Sequence, residues 1–320
     1  MKPTVILYSD LPAQLLEKLH QHTTLLKVKD LSPCTVEHHA EAFKRAEGLM
    51  GSGCKVTRAL LDKMPALRVC STISAGYDNF DLQALTERKI LLTHTPSALT
   101  ETVADAMMAL VLATARHIPA MDHWVKTGGW QHHPQDLPLA MDVHHKTMGI
   151  IGMGRIGLAL AKRAHHGFGM DILYHSRSQH SDAEQDVKAT YCDLDSLLNR
   201  SDFVCLVLPL SAETHHFISH QQLSLMKPSA ILINAGRGAV VDQTALIGAL
   251  QSKRIYGAGL DVYEQEPLSA DSMLTSLPNV VTLPHIGSAT HETRYAMKCD
   301  ALENLLQGLN GNLQINRVNL

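Results

Sequence analysis

The segment Gly149-Ile150-Ile151-Gly152-Met153-Gly154-Arg155-Ile156-Gly157 constrains this chain more than any other. Gly152, Gly154 and Gly157 stand in G-x-G-x-x-G register between an apolar strand, Met148–Ile151, and a helical stretch, Arg155–His166. That is the context a dinucleotide-binding turn requires. The first glycine permits the tight turn, the second lets the backbone approach a pyrophosphate, and the third lets the helix pack close to the strand. The helix, opened by Arg155 and Ile156, offers free N–H groups and a partial positive charge to phosphates.

Around this motif the chain alternates strands and helices. The spacing predicts strands at Met148–Ile151, Ile172–His175, Phe203–Leu208, Ala230–Asn234, Tyr256–Asp261 and Val280–Leu283, with helices at Leu194–Asn199 and Gln243–Ser252 among those between them. Six strands with helical crossovers form a complete doubly wound dinucleotide fold. The first hundred residues show the same rhythm: strands at Thr4–Tyr8, Leu25–Val28, Val69–Ser71 and Ile90–His94, helices at Pro12–His20 and Thr35–Ala46, and Gly48–Met50 leading into Gly51-Ser52-Gly53. This α/β alternation predicts a second parallel sheet flanked by helices. Residues 100–116 form a long helix with Thr100 as its cap; a loop with Gly128, Gly129, Pro134 and Pro138 follows, and Thr290–Gly308 is a final long helix.

A chain of 320 residues, 45% of them hydrophobic, is long enough for two domains of about 100–200 residues. A net charge of -3 with no basic block argues against nucleic acid as a partner. The N-terminal MKPTVILYSD meets Asp10 too soon for a secretory leader, and Ala106–Ala113 is too short for a membrane span, so the expected location is the cytoplasm. Cys34, Cys54, Cys70, Cys192, Cys205 and Cys299 form no CxxC pair and read as buried, reduced thiols. Five adjacent histidine pairs, at 38–39, 132–133, 144–145, 165–166 and 215–216, lack metal-ligand spacing, and neighbouring side chains point in different directions, so no metal is expected.

Three strand ends carry residues suited to hydride and proton transfer. Arg237 follows the strand ending at Asn234, Asp261 and Glu266 follow Gly257-Ala258-Gly259-Leu260, and His285 follows Val280–Leu283. Ligands of open α/β sheets bind at the carboxyl ends of strands, so these loops can converge. Arginine grips a carboxylate through its planar fork, histidine exchanges a proton near neutral pH, and a carboxylate beside it stabilises the imidazolium. At the tip of the second strand, where an acid holds the ribose of NAD, the chain has His175-Ser176-Arg177, and Asp171 precedes the strand. Ser176 and Arg177 suit a 2′-phosphate, which favours NADP(H) and leaves NAD(H) open; a solvated loop arginine is the other reading of Arg177.

These motifs together resemble the D-isomer-specific 2-hydroxyacid dehydrogenases over essentially the whole chain. SAGYDNFD at 74–81, GMGRIG at 152–157, INAGRG at 233–238, GLDVYEQEP at 259–267 and PHIGSAT at 284–290 carry the resemblance. MKPTVILY, DVHHKTMGI and ATHETRY are most similar to the bacterial group that reduces glyoxylate, hydroxypyruvate and 2-ketogluconate. The resemblance implies that Arg237 binds the substrate carboxylate and carbonyl, that His285 donates the proton, and that Glu266 pairs with it. It also implies that the backbone of Ala75 and Gly76 cradles the substrate carboxylate, that Asp261 holds the nicotinamide carboxamide, and that Thr102 lies near the cofactor phosphates. The family often has an acid where this chain has His175, a departure that agrees with NADP.

The implied architecture is two Rossmann-like doubly wound domains with parallel sheets: a discontinuous substrate domain at 1–99 and 290–320, and an inserted NAD(P)-binding domain at 100–289, with the active site in the cleft. A homodimer built through the long helix and loop after residue 100 is also implied. Trp130 reads equally as a wall of the substrate pocket and as a packing anchor of that interface. Two other readings stay open: a related dehydrogenase with another substrate, and a dinucleotide-sensing interaction protein of the same fold.

Overall fold

Parallel strands covered on both faces are apolar along their whole length rather than alternately, and the middle strands of this chain have that character. The computed structural model describes residues 2–131 and 139–320. The chain divides into two units: a split unit of residues 1–99 with 289–320, and a central unit of residues 100–288. The division falls at Ala289, against an expected 290.

In the split unit the strands are β1 (Thr4–Leu7), β2 (Thr24–Lys27), β3 (Ala46–Gly51), β4 (Val69–Thr72) and β5 (Leu91–Thr93). They form one sheet in the order β2-β1-β3-β4-β5, every pair parallel. The helix His291–Leu309 lies against β3, β4 and β5, and its N-cap Thr290 accepts the Thr293 N–H at 3.2 Å. The helix expected at Thr35–Ala46 is two short ones, Pro33–His38 and Ala40–Arg45. His39 leaves the helical conformation, and its carbonyl then accepts the N–H groups of Ala42 and Phe43. The reset turns Phe43 fully inward and starts β3 at Ala46.

In the central unit the strands are β6 (Thr147–Ile151), β7 (Asp171–His175), β8 (Thr190–Tyr191), β9 (Phe203–Leu206), β10 (Ile231–Asn234), β11 (Gly257–Leu260) and β12 (Val280–Thr282). Their order is β12-β11-β10-β9-β6-β7-β8, again all parallel. The six expected strands are present, and β8 is a seventh. Its two residues are exposed and so carry no burial pattern to read. Phe203, Val204, Leu206, Ile231, Leu232 and Ile233 are completely buried, each large side chain contributing about 1.5–3 kcal/mol of transfer free energy.

The long helix runs Thr100–Ala115, with Thr100 as its first helical residue rather than its cap. It packs along the helix Arg155–Lys162 and against β10 and β11. The helix expected to reach His166 gives way at Arg163 to a π-helical turn, Arg163–Gly167. After a left-handed turn at His117 (φ +52°) the chain forms a helix, Ile118–Lys126, that the sequence reading did not anticipate. None of its residues is buried, and Ile118 and Val125 stand exposed. Gly128, Gly129 and Trp130 follow it outside regular structure, with Trp130 60% exposed. The pair His132-His133, Pro134 and Pro138 lie outside the described residues.

Cys70 and Cys205 are buried as expected, and burial pushes both thiols up. Cys54, Cys192 and Cys299 are half-buried, whereas Cys34 is exposed, because it lies on the outer side of the short helix Pro33–His38, whose one buried residue is Val36. Among the described residues no single helix is long and apolar enough to cross a membrane.

Candidate active site

The register of the central sheet lines up its strand ends. Ile151 pairs with His175 and Leu206, Leu206 with Asn234, Asn234 with Leu260, and Leu260 with Thr282. The residues that follow these positions therefore emerge side by side along the carboxyl edge: Gly152, Ser176, Ala235 to Arg237, Asp261, and Leu283 to His285. The chain order reverses between β6 and β9, and ligands of such sheets bind where that happens.

The three glycines meet different steric demands. Gly152 has φ +104°, and a Cβ there would lie 2.6 Å from the Val207 carbonyl oxygen. A Cβ on Gly157 would lie 2.3 Å from the Gly152 carbonyl oxygen, so the helix sits directly on the turn. Gly154 is exposed, and a Cβ there would meet nothing within 4 Å. Gly154 caps the helix Arg155–Lys162, with Arg155 exposed and Ile156 half-buried. A sharp turn, an open backbone approach and a helix N-terminus fit a pyrophosphate. Thr102 is half-buried in the first turn of the helix Thr100–Ala115. Arg163 fastens that turn, reaching Glu101 at 2.8 Å and Asp105 at 2.6 Å.

At the tip of β7, His175 Nδ1 donates to the Cys192 carbonyl at 3.1 Å, and its ring stacks near Tyr191 and Phe217. Asp171 does not precede β7 but is its first residue, four residues and therefore about 13 Å from the tip, too far to replace the missing acid. Ser176 is half-buried and hydrogen-bonds forward to the Ser178 carbonyl. Arg177 is exposed, and its charge helps the Ser211 hydroxyl lower the pKa of Glu213.

Beyond β10, Asn234 is 1% exposed and braces the turn: its Nδ2 donates to the Arg237 carbonyl at 3.0 Å and its Oδ1 accepts the Gly236 N–H at 3.1 Å. Arg237 is half-buried, with Nη1 2.9 Å from the Gly236 carbonyl. Gly238 lies against the backbone of Tyr263, where a Cβ would overlap the carbonyl carbon at 1.8 Å. The Arg237 turn and the loop after β11 are thus interlocked.

That loop meets the one after β12 through three side chains. Asp261, 1% exposed, accepts the N–H groups of Ile286 and Gly287, each at 2.7 Å. Burial raises its pKa, and the two N–H bonds pull the other way. Tyr263 donates to the Leu283 carbonyl at 2.9 Å, and burial pushes its phenol up to about 12. Glu266 holds His285 Nδ1 at 2.7 Å through Oε2 and accepts the Tyr263 N–H at 3.1 Å through Oε1. Burial alone would raise the Glu266 pKa; the bonds from His285 and Tyr263 and the charge of Arg237 outweigh it and hold it below the ordinary 4.5. His285 has φ +56°, a left-handed conformation that its neighbours must impose. Its bond to Glu266 uses Nδ1 and leaves Nε2 as the nitrogen able to serve a substrate.

Of the residues singled out in the sequence, Glu266 and His285 are in direct contact, and Arg237 and Asp261 are tied to the same loops. Ala75 and Gly76 belong to the split unit, in the loop after β4. There the Ala75 carbonyl lies 2.8 Å from His94 Nδ1, and the Gly76 N–H donates to Ser74 Oγ at 3.1 Å. Asn234 and Tyr263 were missed; a buried amide ending an apolar strand just before Gly-Arg-Gly was the available signal for the first. Among the described residues no group of three His, Cys, Asp or Glu is placed to hold a metal. His215 and His216 do not diverge as expected: positive φ at His216 stacks their rings, centroids 4.0 Å apart. Two surface depressions, of about 440 Å³ beside Lys27 and Cys34 and about 290 Å³ beside His220 and Arg254, contain none of the residues above.

Comparison with known proteins identifies the family. The family model described as D-isomer specific 2-hydroxyacid dehydrogenase, NAD binding domain, matches residues 108–287. The glyoxylate/hydroxypyruvate reductase B of Klebsiella pneumoniae is 60% identical over 319 residues, covering 100% of this chain and 99% of its own, and that of Escherichia coli is also 60% identical. Among solved structures, an NADPH-dependent glyoxylate/hydroxypyruvate reductase from Sinorhizobium meliloti, in complex with NADP and malonate, has a TM-score of 0.89 at 32% identity, covering 99% of this chain and 97% of that one. A Thermus thermophilus protein of 37% identity has a TM-score of 0.87, covering 98% of this chain and 99% of that one. With its two parallel-sheet units and its carboxyl-edge constellation, the chain belongs to the D-isomer specific 2-hydroxyacid dehydrogenase family.

Proposed function

We propose that this protein reduces small 2-keto acids with NADPH, glyoxylate to the achiral glycolate, and hydroxypyruvate and 2-ketogluconate to D-2-hydroxy acids. The observation that carries the reading is the 2.7 Å bond between Glu266 and His285 Nδ1 at the carboxyl edge of the central sheet. The names of the relatives support the substrate class.

A nicotinamide dinucleotide would supply the hydride when bound. Gly152, Gly154, Arg155, Ile156 and Gly157 would hold its pyrophosphate at the helix N-terminus, together with Thr102. Arg237 grips the substrate carboxylate and carbonyl through its fork. His285 donates the proton from Nε2 to the keto oxygen as it gains negative charge. Glu266 fixes the ring through Nδ1 and stabilises the imidazolium before that transfer. Asp261 is assigned the nicotinamide carboxamide in addition to its hold on Ile286 and Gly287, since a carboxylate has more than two acceptor sites.

The carboxylate must stay ionised for this. A depressed carboxylate pKa keeps the pair intact above the ordinary glutamate range and loses it only as pH falls through the lower, folded value. Glu266 therefore does not limit reduction between neutral pH and about pH 5. The Glu266→Gln variant is expected to lower kcat for hydroxypyruvate reduction about tenfold or more with KM for NADPH little changed, because the ring loses the carboxylate that orients it through Nδ1. An unchanged kcat sinks the proposed pair.

NADPH is preferred because the tip of β7 has no acid and offers Ser176 and the exposed Arg177. Arg177→Ala is expected to weaken NADPH affinity by about tenfold or more with little change for NADH, read by fluorescence titration. Equal losses for the two cofactors remove Arg177 from the binding site.

A homodimer accounts for the helix Ile118–Lys126, which buries none of its residues and exposes Ile118 and Val125, near exposed Trp130. Static light scattering is expected to give about twice the chain mass of 35.1 kDa, and a monomer at micromolar concentration rules this assembly out.

A further inference from the structure

Two residues before Glu266, Glu264 makes a second carboxylate–histidine pair. Its Oε1 lies 2.8 Å from His216 Nε2 and accepts the Gln243 N–H at 3.0 Å. The Gln243 side-chain oxygen in turn accepts the Glu264 N–H at 3.4 Å. His216 itself is well anchored. Its N–H donates to the Ala239 carbonyl at 2.8 Å, the next residue but one bonds Val240, and its ring stacks on His215. Ala239 lies two residues beyond Arg237, so His216 is fastened to the turn that carries the arginine and reaches the loop that carries the glutamate.

The segment between Asp261 and Glu266 belongs to no strand or helix, so no backbone ladder sets its shape. Side-chain bonds do so instead: Asp261 at its start, Glu264 in its middle, and the Tyr263 N–H returning to Glu266 Oε1. We propose that His216, acting through Glu264, is a positioning residue that fixes this segment so that Glu266 presents its carboxylate to His285. Neither His216 nor Glu264 touches the reacting atoms; their effect passes through the backbone of residues 263–266. The proposal rests on the reading of Glu266 and His285 given above.

A double-mutant cycle separates positioning from plain bracing. His216→Ala is expected to lower kcat for hydroxypyruvate reduction about five- to tenfold in the wild-type background, with KM for NADPH unchanged, and less than about twofold in the Glu266→Gln background. His216→Gln, which restores a donor at the place of Nε2, is expected to recover at least about half of the lost rate. His216→Leu fills the space without the donor and carries the cycle if the alanine variant melts early. Equal losses of kcat in the two backgrounds, or no rescue by glutamine, overturn the proposal and leave His216 a structural brace. A Glu266→Gln enzyme as fast as the wild type would instead remove the catalytic reading of Glu266, and with it the object that His216 positions.

Discussion

The buried carboxylate of Asp261 is the interaction on which the rest of the site depends. A carboxylate removed from water is costly unless hydrogen bonds replace its hydration, and here the N–H groups of Ile286 and Gly287 do so at 2.7 Å each. Charge-assisted bonds of this kind are about twice as strong as neutral ones. They fasten the loop after β12 to the end of β11 and sustain the left-handed backbone of His285 immediately before them. With that backbone set, Glu266 meets the imidazole, and the histidine keeps one nitrogen free of the pair. The large burial effect on Asp261 and the opposing effect of its N–H partners are two sides of the same arrangement.

Sheet register carries this order across the central unit. Because every strand pair is parallel and the strand ends are aligned, the glycine turn, the arginine turn and the loops carrying Glu266 and His285 leave the same edge. Close backbone contacts then prevent sliding: Gly157 on the Gly152 carbonyl, and Gly238 on Tyr263. Neither position has room for a side chain. These glycines are therefore fixed by neighbours that are distant in sequence for Gly238 and local for Gly157, which is why the role of Gly157 was readable from the motif and that of Gly238 was not.

Much of the frame was legible because parallel strands are uninterrupted apolar runs and the phosphate turn has a fixed glycine spacing. Glu266 and His285 were named from their places just beyond two strand ends, and their pairing from the chain's resemblance to a family. What escaped depends on tertiary position. β8 is two exposed residues, and the helix Ile118–Lys126 directs apolar residues outward, so neither shows the periodicity of burial. The break at His39 follows from how Phe43 reaches the core, not from a proline or glycine in the helix. Asp261 was expected at the nicotinamide alone; its bonds to Ile286 and Gly287 span 25 and 26 residues and leave no local mark. The pairing of His216 with Glu264 is hidden in the same way, since adjacent histidines by themselves suggest only divergent side chains.

The measurement that bears most directly on the account is steady-state cofactor oxidation with glyoxylate, hydroxypyruvate, 2-ketogluconate and pyruvate, NADPH against NADH, followed by chiral analysis of the hydroxypyruvate product. The account predicts turnover of glyoxylate, hydroxypyruvate and 2-ketogluconate, faster with NADPH at limiting cofactor, and a product of D configuration from hydroxypyruvate. Turnover of none of the four keto acids, or an L product, would contradict it.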